Sequence, residues 1–351
     1  MKTIVDSPER WPSGSLVDVP GLQVGHAQMA TRPTGCSVVL APQGAVCAVD
    51  VRGAAPGTRE TDLLAPDHLV ERVHAVLLCG GSAYGLDAAS GVMRWLEAHD
   101  IGFQTGFGRV PIVPAAVLFD LPAVRAGDDP RVRPDADCGW RACEAASSAA
   151  PAAGNVGAGT GASVGKLFGL ERAMKGGIGH ASVRVGPWVV AAMIACNAIG
   201  DVLEPDTGTL LAGARRADGT GLLGTEAALL AGERTLRPMP GTNTTIGVVA
   251  TNASLSKAQA QRLALSAHDG LARSIRPVHT SLDGDTLFAL ASGAHSQAPD
   301  LMLLTTLAAH VTALATLDAV LRAQPMDTLH GHWPSARSWA QRASAPARPL
   351  R

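Results

Sequence analysis

The chain has 351 residues, 46% of them hydrophobic, and its 29 Lys and Arg offset 30 Asp and Glu to leave a net charge of -1. That is enough apolar material for a full core without disulfides. The basic excess that a phosphate backbone requires is missing, so a small, mostly uncharged ligand fits and no nucleic-acid partner is expected.

The N-terminal MKTIVDSPERW lacks the apolar stretch of a signal peptide, and the longest apolar run, residues 188–196, is too short to span a bilayer. A cytoplasmic protein with no membrane partner is expected. Six cysteines (Cys36, Cys47, Cys79, Cys138, Cys143 and Cys196) lie mostly in apolar or Ala-rich surroundings without CxxC spacing, which predicts reduced core residues.

With 39 glycines, one Tyr and five Phe, the composition is that of a layered α/β protein packed with Ala, Val and Leu. Residues 74–100 read as a buried strand, a Gly-Gly-Ser turn and a helix with Leu86, Ala89, Met93 and Leu96 on one face, which puts Tyr84 near a helix N-terminus. Strands are predicted over 112–120 and over 181–196, the latter turning at Gly186-Pro187, with the Gly-rich loop GNVGAGTGASVGK between them. Residues from about 205 to 242 lose periodicity and collect Gly, Pro, Arg and Thr, the mark of an exposed connection open to processing.

TTIGVVATNA follows as a strand. Next comes a helix capped by Ser256 with Gln259, its apolar face Ala260, Leu263, Ala267 and Leu271, ended by Pro277. HTSLDGDTLFALASG is an acidic turn into a strand, residues 301–323 a long apolar helix, and the tail from 326 to 351 loosely ordered. One domain interrupted by the 205–242 loop is the simplest organisation.

Several constellations fail their chemical tests. The Gly-rich loop ends in Gly165-Lys166 like a phosphate-binding loop, but Thr160 stands where that motif has Gly, and Leu167 replaces the magnesium-holding Ser or Thr. Gly157, Gly159 and Ala162 match a dinucleotide fingerprint, yet the Ala-rich sequence before them looks helical where that motif needs a strand. His330 and His332 lie outside any HExxH, and Asp283-Gly-Asp285 lacks the other ligands of a calcium loop, so neither metal nor cofactor is expected. Asn243-Thr-Thr is formally a glycosylation acceptor, without a secretion signal to expose it.

What remains is GTNTTI at 241–246, a polar stretch leading from the flexible loop into a buried strand. Thr244 and Thr245 suit the start of a strand. A Thr hydroxyl beside the carbonyl of its preceding residue can also attack it, forming an ester that water hydrolyses. That frees an α-amine, with a pKa of roughly 7.7–8.0, to act as base for the same hydroxyl.

Five segments together (GLQVGHA, LLCGGSAYGLDAASGV, GASVGK, ACNAIGDV, and NTTIGVVATNA through PVHTSLDGDTLFALASG) resemble the L-aminopeptidase/D-esterase (DmpA-like) family. They run in order from residue 21 to about 293, and the Asn-Thr-Thr junction is similar to the family's nylon-oligomer hydrolase branch. The resemblance implies a four-layer αββα sandwich that cleaves itself into an α subunit, 1–243, and a β subunit, 244–351, between Asn243 and Thr244.

It further implies Thr244 as nucleophile, supported by Lys166, Asn197, Asp283 and Asp285, with Tyr84 as a wall or donor of the substrate pocket. No cofactor is implied, and a homo-oligomer, a tetramer of αβ units, is. In physical terms Lys166 would offset developing negative charge and the Asn197 amide would donate to the oxyanion, while the two aspartates would orient the new amine and tune its pKa. Many relatives have Ser at the junction where this chain has Thr, which leaves substrate class open: a small peptide, an amino-acid amide or ester, or an aminohexanoate oligomer. A transferase resembling ornithine acetyltransferases, and a silent binding protein with the same fold, are the alternatives.

Overall fold

The computed structural model describes residues 4–233 and 243–343. Its centre is a nine-stranded sheet. The strands that matter for the site are β1 (Gln23–Gln28), β2 (Gly35–Val51), β3 (Arg72–Cys79), β4 (Ala115–Val117), β5 (Gly177–Val185), β6 (Trp188–Asn197), β7 (Thr244–Ala253) and β8 (Thr286–His295). Their order is β5-β6-β7-β8-β2-β3-β4, with β1 paired to β2. β7 lies antiparallel to β6 and parallel to β8.

β2 is 17 residues long, and its pairing with β3 shifts register between Leu40 and Ala45. Residues on its first half pair with β1 and β3, and those from Val46 to Val51 pair with β8. This irregularity, of the kind that bends strands, lets the sheet double back on itself. Strand side chains alternate faces, and the two halves meet through one set: Ala191, Met193, Ile246, Val248 and Phe288 from one half, Val39, Val76 and Leu78 from the other.

The opposite face of β6, β7 and β8 packs Val190, Ile194, Val249 and Leu287 against α3 (Lys257–Ser274) and α4 (Leu301–Leu321). The opposite face of β2 and β3 packs Val38, Leu40 and Leu77 against α1 (Ala88–Ala98) and α2 (Ala136–Glu144). Three cores therefore separate four layers, the expected αββα sandwich. By length and composition α4 could cross a membrane, but Leu304, Val311, Ala315 and Val320 are spent on the core beneath the sheet.

Most elements fall where the pattern puts them. The Ser256 hydroxyl accepts from the Gln259 N–H, and the Gln259 side chain accepts from the Ser256 N–H at 3.0 Å. Ala260, Leu263, Ala267 and Leu271 are all fully buried. All six cysteines are buried and free.

Four expectations need correction. The strand over 112–120 shrinks to β4, because Pro111 and Pro114 withhold N–H donors from a ladder. The Ala-rich stretch before the Gly-rich loop is not helical: α2 ends at Glu144, and no helix follows before Gly157. Within 205–242, residues 210–212 pair as a strand and Thr225–Leu230 is a helix. Buried Asp201 ties them together by accepting from the Ala214 N–H at 2.7 Å and the Thr225 hydroxyl at 2.8 Å. The remainder, 234–242, lies outside the described residues.

The tail, expected loose over 326–351, is the fourth as far as residue 343; residues 344–351 lie outside the described residues. Residues 326–333 form a hairpin and Ala336–Ala343 a helix, anchored by Trp333, which is fully buried against Ala123 and Ala173 and donates its indole N–H to the Leu170 carbonyl at 2.8 Å. Trp333→Ala is expected to cost about 3–5 kcal/mol, the usual range for emptying an aromatic site, read as a lowered midpoint in urea.

Candidate active site

β7 starts in the middle of the sheet. β-branched Thr244, Thr245 and Ile246 favour extended backbone there, and pairing on both sides leaves Thr244 only 3% exposed. Register sets its company: Thr244 lies opposite Asn197 on β6, and Asn243 forms a parallel bridge with Asp283.

The Thr244 hydroxyl donates to the carbonyl oxygen of Asn243. The same oxygen accepts the Gly284 N–H at 2.9 Å. A nucleophilic oxygen therefore sits against the Asn243–Thr244 bond while a backbone donor polarises that carbonyl, the arrangement that favours attack and stabilises an oxyanion.

Gly284 must be glycine for reasons of space. A Cβ there would stand 2.5 Å from the Ala55 carbonyl oxygen and 2.9 Å from Thr244 Oγ1. The crowding comes from the chain after β2, whose Arg52 and Ala55 N–H groups donate to the Asp285 and Asp283 carbonyls at 3.0 and 2.9 Å and clamp the Asp-Gly-Asp turn. Gly284→Ala is expected to displace that N–H and, if the Asn243–Thr244 bond is cleaved here, to slow that cleavage by roughly 10²-fold, since misplacement by about an ångström costs that much. A time course of intact mass measures it.

Lys166 reaches the site from the Gly-rich loop. The Gly165 and Lys166 N–H groups donate to Gly200 and Ile199, and the Lys166 ammonium donates to the Asn197 backbone carbonyl at 3.0 Å and to Oδ1 at 2.9 Å. The residue keeps some surface, but its ammonium is enclosed, and burial pulls its pKa from 10.5 to about 7 against the opposing charge of Asp283. It is thus a group that exchanges its proton near neutrality.

Asn197 is held in one orientation. Its Oδ1 also accepts the Ser163 N–H at 3.0 Å, and its Nδ2 donates to the Phe119 carbonyl at 3.0 Å. One amide hydrogen is committed to Phe119, leaving the other for the expected donation.

The two aspartates have different partners. Asp283 accepts the N–H and hydroxyl of Thr280 at 2.9 and 2.7 Å, and burial, then the neighbouring Asp285, push its pKa up to about 6. Asp285 accepts the Thr245 N–H at 2.7 Å on one oxygen and His279 on the other, from N–H at 3.2 Å and Nδ1 at 2.8 Å. It therefore grips the residue after Thr244.

Thr244, Lys166, Asn197, Asp283 and Asp285 thus converge from four separate segments. Tyr84 does not join them. It lies on the turn Ser82–Asp87, 65% exposed, with the Arg133 guanidinium 4.9 Å over its ring. Among the described residues it makes no hydrogen bond to the cluster, although its loop borders the site: the Ser82 N–H donates to Leu118, and Phe119 holds Asn197.

Sequence reading missed Gly284, His279, Lys175 and Asp120. Fully buried Lys175 donates to the carbonyls of Gly159, Ala162 and Gly176 at 3.0, 2.8 and 2.9 Å, caging the loop that delivers Lys166. Asp120, also buried, accepts the Gly81 N–H at 2.7 Å. A usable signal existed only for His279 and Gly284, within HTSLDGD. No group of three or more His, Cys, Asp or Glu placed to hold a metal occurs among the described residues.

The layering is that of the N-terminal-nucleophile hydrolases. The L-aminopeptidase D-Ala-esterase/amidase of Ochrobactrum anthropi, whose structure is described as a variant of that fold, superposes with a TM-score of 0.69 at 18% identity, over 94% of this chain and 93% of that one. A β-aminopeptidase of Burkholderia sp. superposes with a TM-score of 0.64 at 21% identity, over 96% of each chain.

The sequence profile of peptidase family S58 matches residues 14–333, and the chain belongs to that family. It is 49% identical over 301 residues to an uncharacterized aminopeptidase of Mycobacterium leprae, covering 81% of this chain and 80% of the relative. It is 33% identical over 276 residues to a 6-aminohexanoate-oligomer endohydrolase of Kocuria sp. strain KY2, covering 78% of this chain and 74% of the relative. The protein is an amide-bond hydrolase.

Proposed function

We propose that this hydrolase matures by cleaving its own Asn243–Thr244 bond and then uses Thr244 as the N-terminal nucleophile of an aminopeptidase or amidase. The observation that carries this is the Thr244 hydroxyl resting on the Asn243 carbonyl, with the Gly284 N–H on the same oxygen. In the first step Thr244 Oγ1 bonds to the Asn243 carbonyl carbon. The C–N bond breaks, the hydroxyl proton passes by way of a nearby base to the leaving amine, and water hydrolyses the ester.

Lys166, with a pKa near 7, is the base we assign. Once free, the Thr244 amine accepts the proton of its own hydroxyl. Oγ1 then attacks a substrate carbonyl, the amine product leaves with that proton, and water releases the acid.

Small peptides, amino-acid amides or esters are the substrates we assign. The Kocuria relative's name favours a second reading, linear 6-aminohexanoate oligomers. The homotetramer of αβ units implied by the family resemblance belongs to the same proposal, and sedimentation velocity tests it.

Intact-mass spectrometry of freshly purified, denatured protein tests the maturation. Two fragments split after Asn243 are expected; one uncut mass would overturn the proposal. Initial rates on an L-aminoacyl anilide, a β-aminoacyl anilide and a 6-aminohexanoate dimer then rank the substrate readings. Acyl transfer to an added amine in preference to water would mark a transferase.

A further inference from the structure

We propose that His279 is a positioning residue of this active site, fixing Asp285 and, through it, the start of β7 so that Thr244 stays aligned with the bond it attacks. The inference rests on the function proposed above.

Asp285 is 1% exposed, and its carboxylate is divided between two tasks. Oδ1 accepts the N–H of Thr245, the residue bonded to the nucleophile; Oδ2 accepts both the backbone N–H and Nδ1 of His279. A carboxylate oxygen accepts, so the tautomer that makes this hydrogen bond is the one with its hydrogen on Nδ1. Without the imidazole, a buried carboxylate oxygen would lose its closer donor. Burying such a group short of donors is costly, so Asp285 would turn toward other partners and release the Thr245 N–H.

The backbone is shaped for this contact. His279 has φ +55°, the left-handed region that a non-glycine residue rarely occupies. In that conformation its main-chain N–H and its ring nitrogen reach the same oxygen. The ring lies at 4.8 Å edge-on to that of buried His268, whose Nε2 meets the Asp50 carbonyl at 3.0 Å. The next residue, Thr280, serves Asp283 in the same way. The segment HTSLDGD thus carries a donor for each of its own carboxylates. His279 makes no hydrogen bond to Thr244 among the described residues, so its effect is transmitted through Asp285.

The test uses the full chain with His279→Asn, His279→Gly and His279→Asp, following precursor conversion and then kcat and KM of the processed enzymes on the amide the parent hydrolyses best. Asn tolerates positive φ and supplies an amide N–H near the Nδ1 position; Gly relieves the backbone but has no donor; Asp matches Asn in shape, lacks the amide donor and adds a carboxylate beside Asp285. The expected result is conversion and kcat about 10–100-fold lower in the Gly and Asp variants, as for other outer-shell orienting groups, with KM unchanged and the Asn variant close to the parent.

Parent-like rates in the Gly variant would overturn the inference. So would an Asn variant as slow as Asp, since shape and packing would then account for the residue. If the Gly variant fails to fold, the Asn variant against the parent still decides, since loss of its rate would remove the donor argument. A parent that never cleaves counts against the proposed function instead.

Discussion

Thr244→Ala is expected to leave the protein as one 35.9 kDa polypeptide and to lower amide hydrolysis by about 10⁶-fold, the order of loss when a hydrolase nucleophile is deleted. Both losses follow from one atom. Oγ1 is the group resting on the Asn243 carbonyl; without it the bond stays intact, and no free amine forms to act as base. The fold should survive, because β7 is held by backbone pairing to β6 and β8 and by Ile246, Val248 and Val249 in the cores on its two faces. An unchanged melting transition would separate lost chemistry from lost structure. Thr244→Ser should still cleave, since it keeps the oxygen and gives up only the methyl that stiffens χ1. Fragments in the Ala variant would place the nucleophile elsewhere.

What the sequence reveals of the fold and the site depends on the range of the interactions. Local signals were legible. The Ser256–Gln259 capping box lies within one turn, the apolar face of α3 repeats at helical spacing, and the Gly186-Pro187 turn joins two strands that pair directly. The segments carrying Lys166, Asn197, Asp283 and Asp285 were identified by family resemblance, and the structure gathers those residues around Thr244.

What escaped depends on contacts between distant parts of the chain. Gly284 stands in the legible HTSLDGD segment, but the constraint that requires glycine there comes from Ala55, well over 200 positions away, and only the fold shows it. Lys175 stands in a plain MKGG stretch; only the folded loop shows three carbonyls turned onto its ammonium. The tail was read as loose because it is rich in Ala, Pro and Arg, yet one Trp inserted beside Leu170 orders 326–333. Tyr84, which the family resemblance points to as a pocket residue, stands on the Ser82–Asp87 turn, 65% exposed, and no local pattern marks its distance from the buried cluster.

Lys166→Met should abolish self-cleavage on a laboratory timescale, a loss of about 10²–10⁴-fold if the amine transfers the proton. Lys166→Arg should not restore it, because a guanidinium stays charged throughout the accessible pH range. The parent should also show a characteristic pH dependence. Burial lowers the Lys166 pKa to about 7, so the neutral amine, the form able to accept the Thr244 proton, becomes the major form as pH rises through 7. Burial together with Asp285 raises Asp283 to about 6, so that carboxylate ionises over a slightly lower interval and becomes available to stabilise positive charge nearby. Both changes act in the same direction: cleavage slow at pH 5.5, rising between 6 and 8, and level above that. Stopped time courses of precursor mass across that range measure it. A rate that falls with rising pH would require a protonated Lys166 and would assign it to stabilising the oxyanion instead of removing the proton.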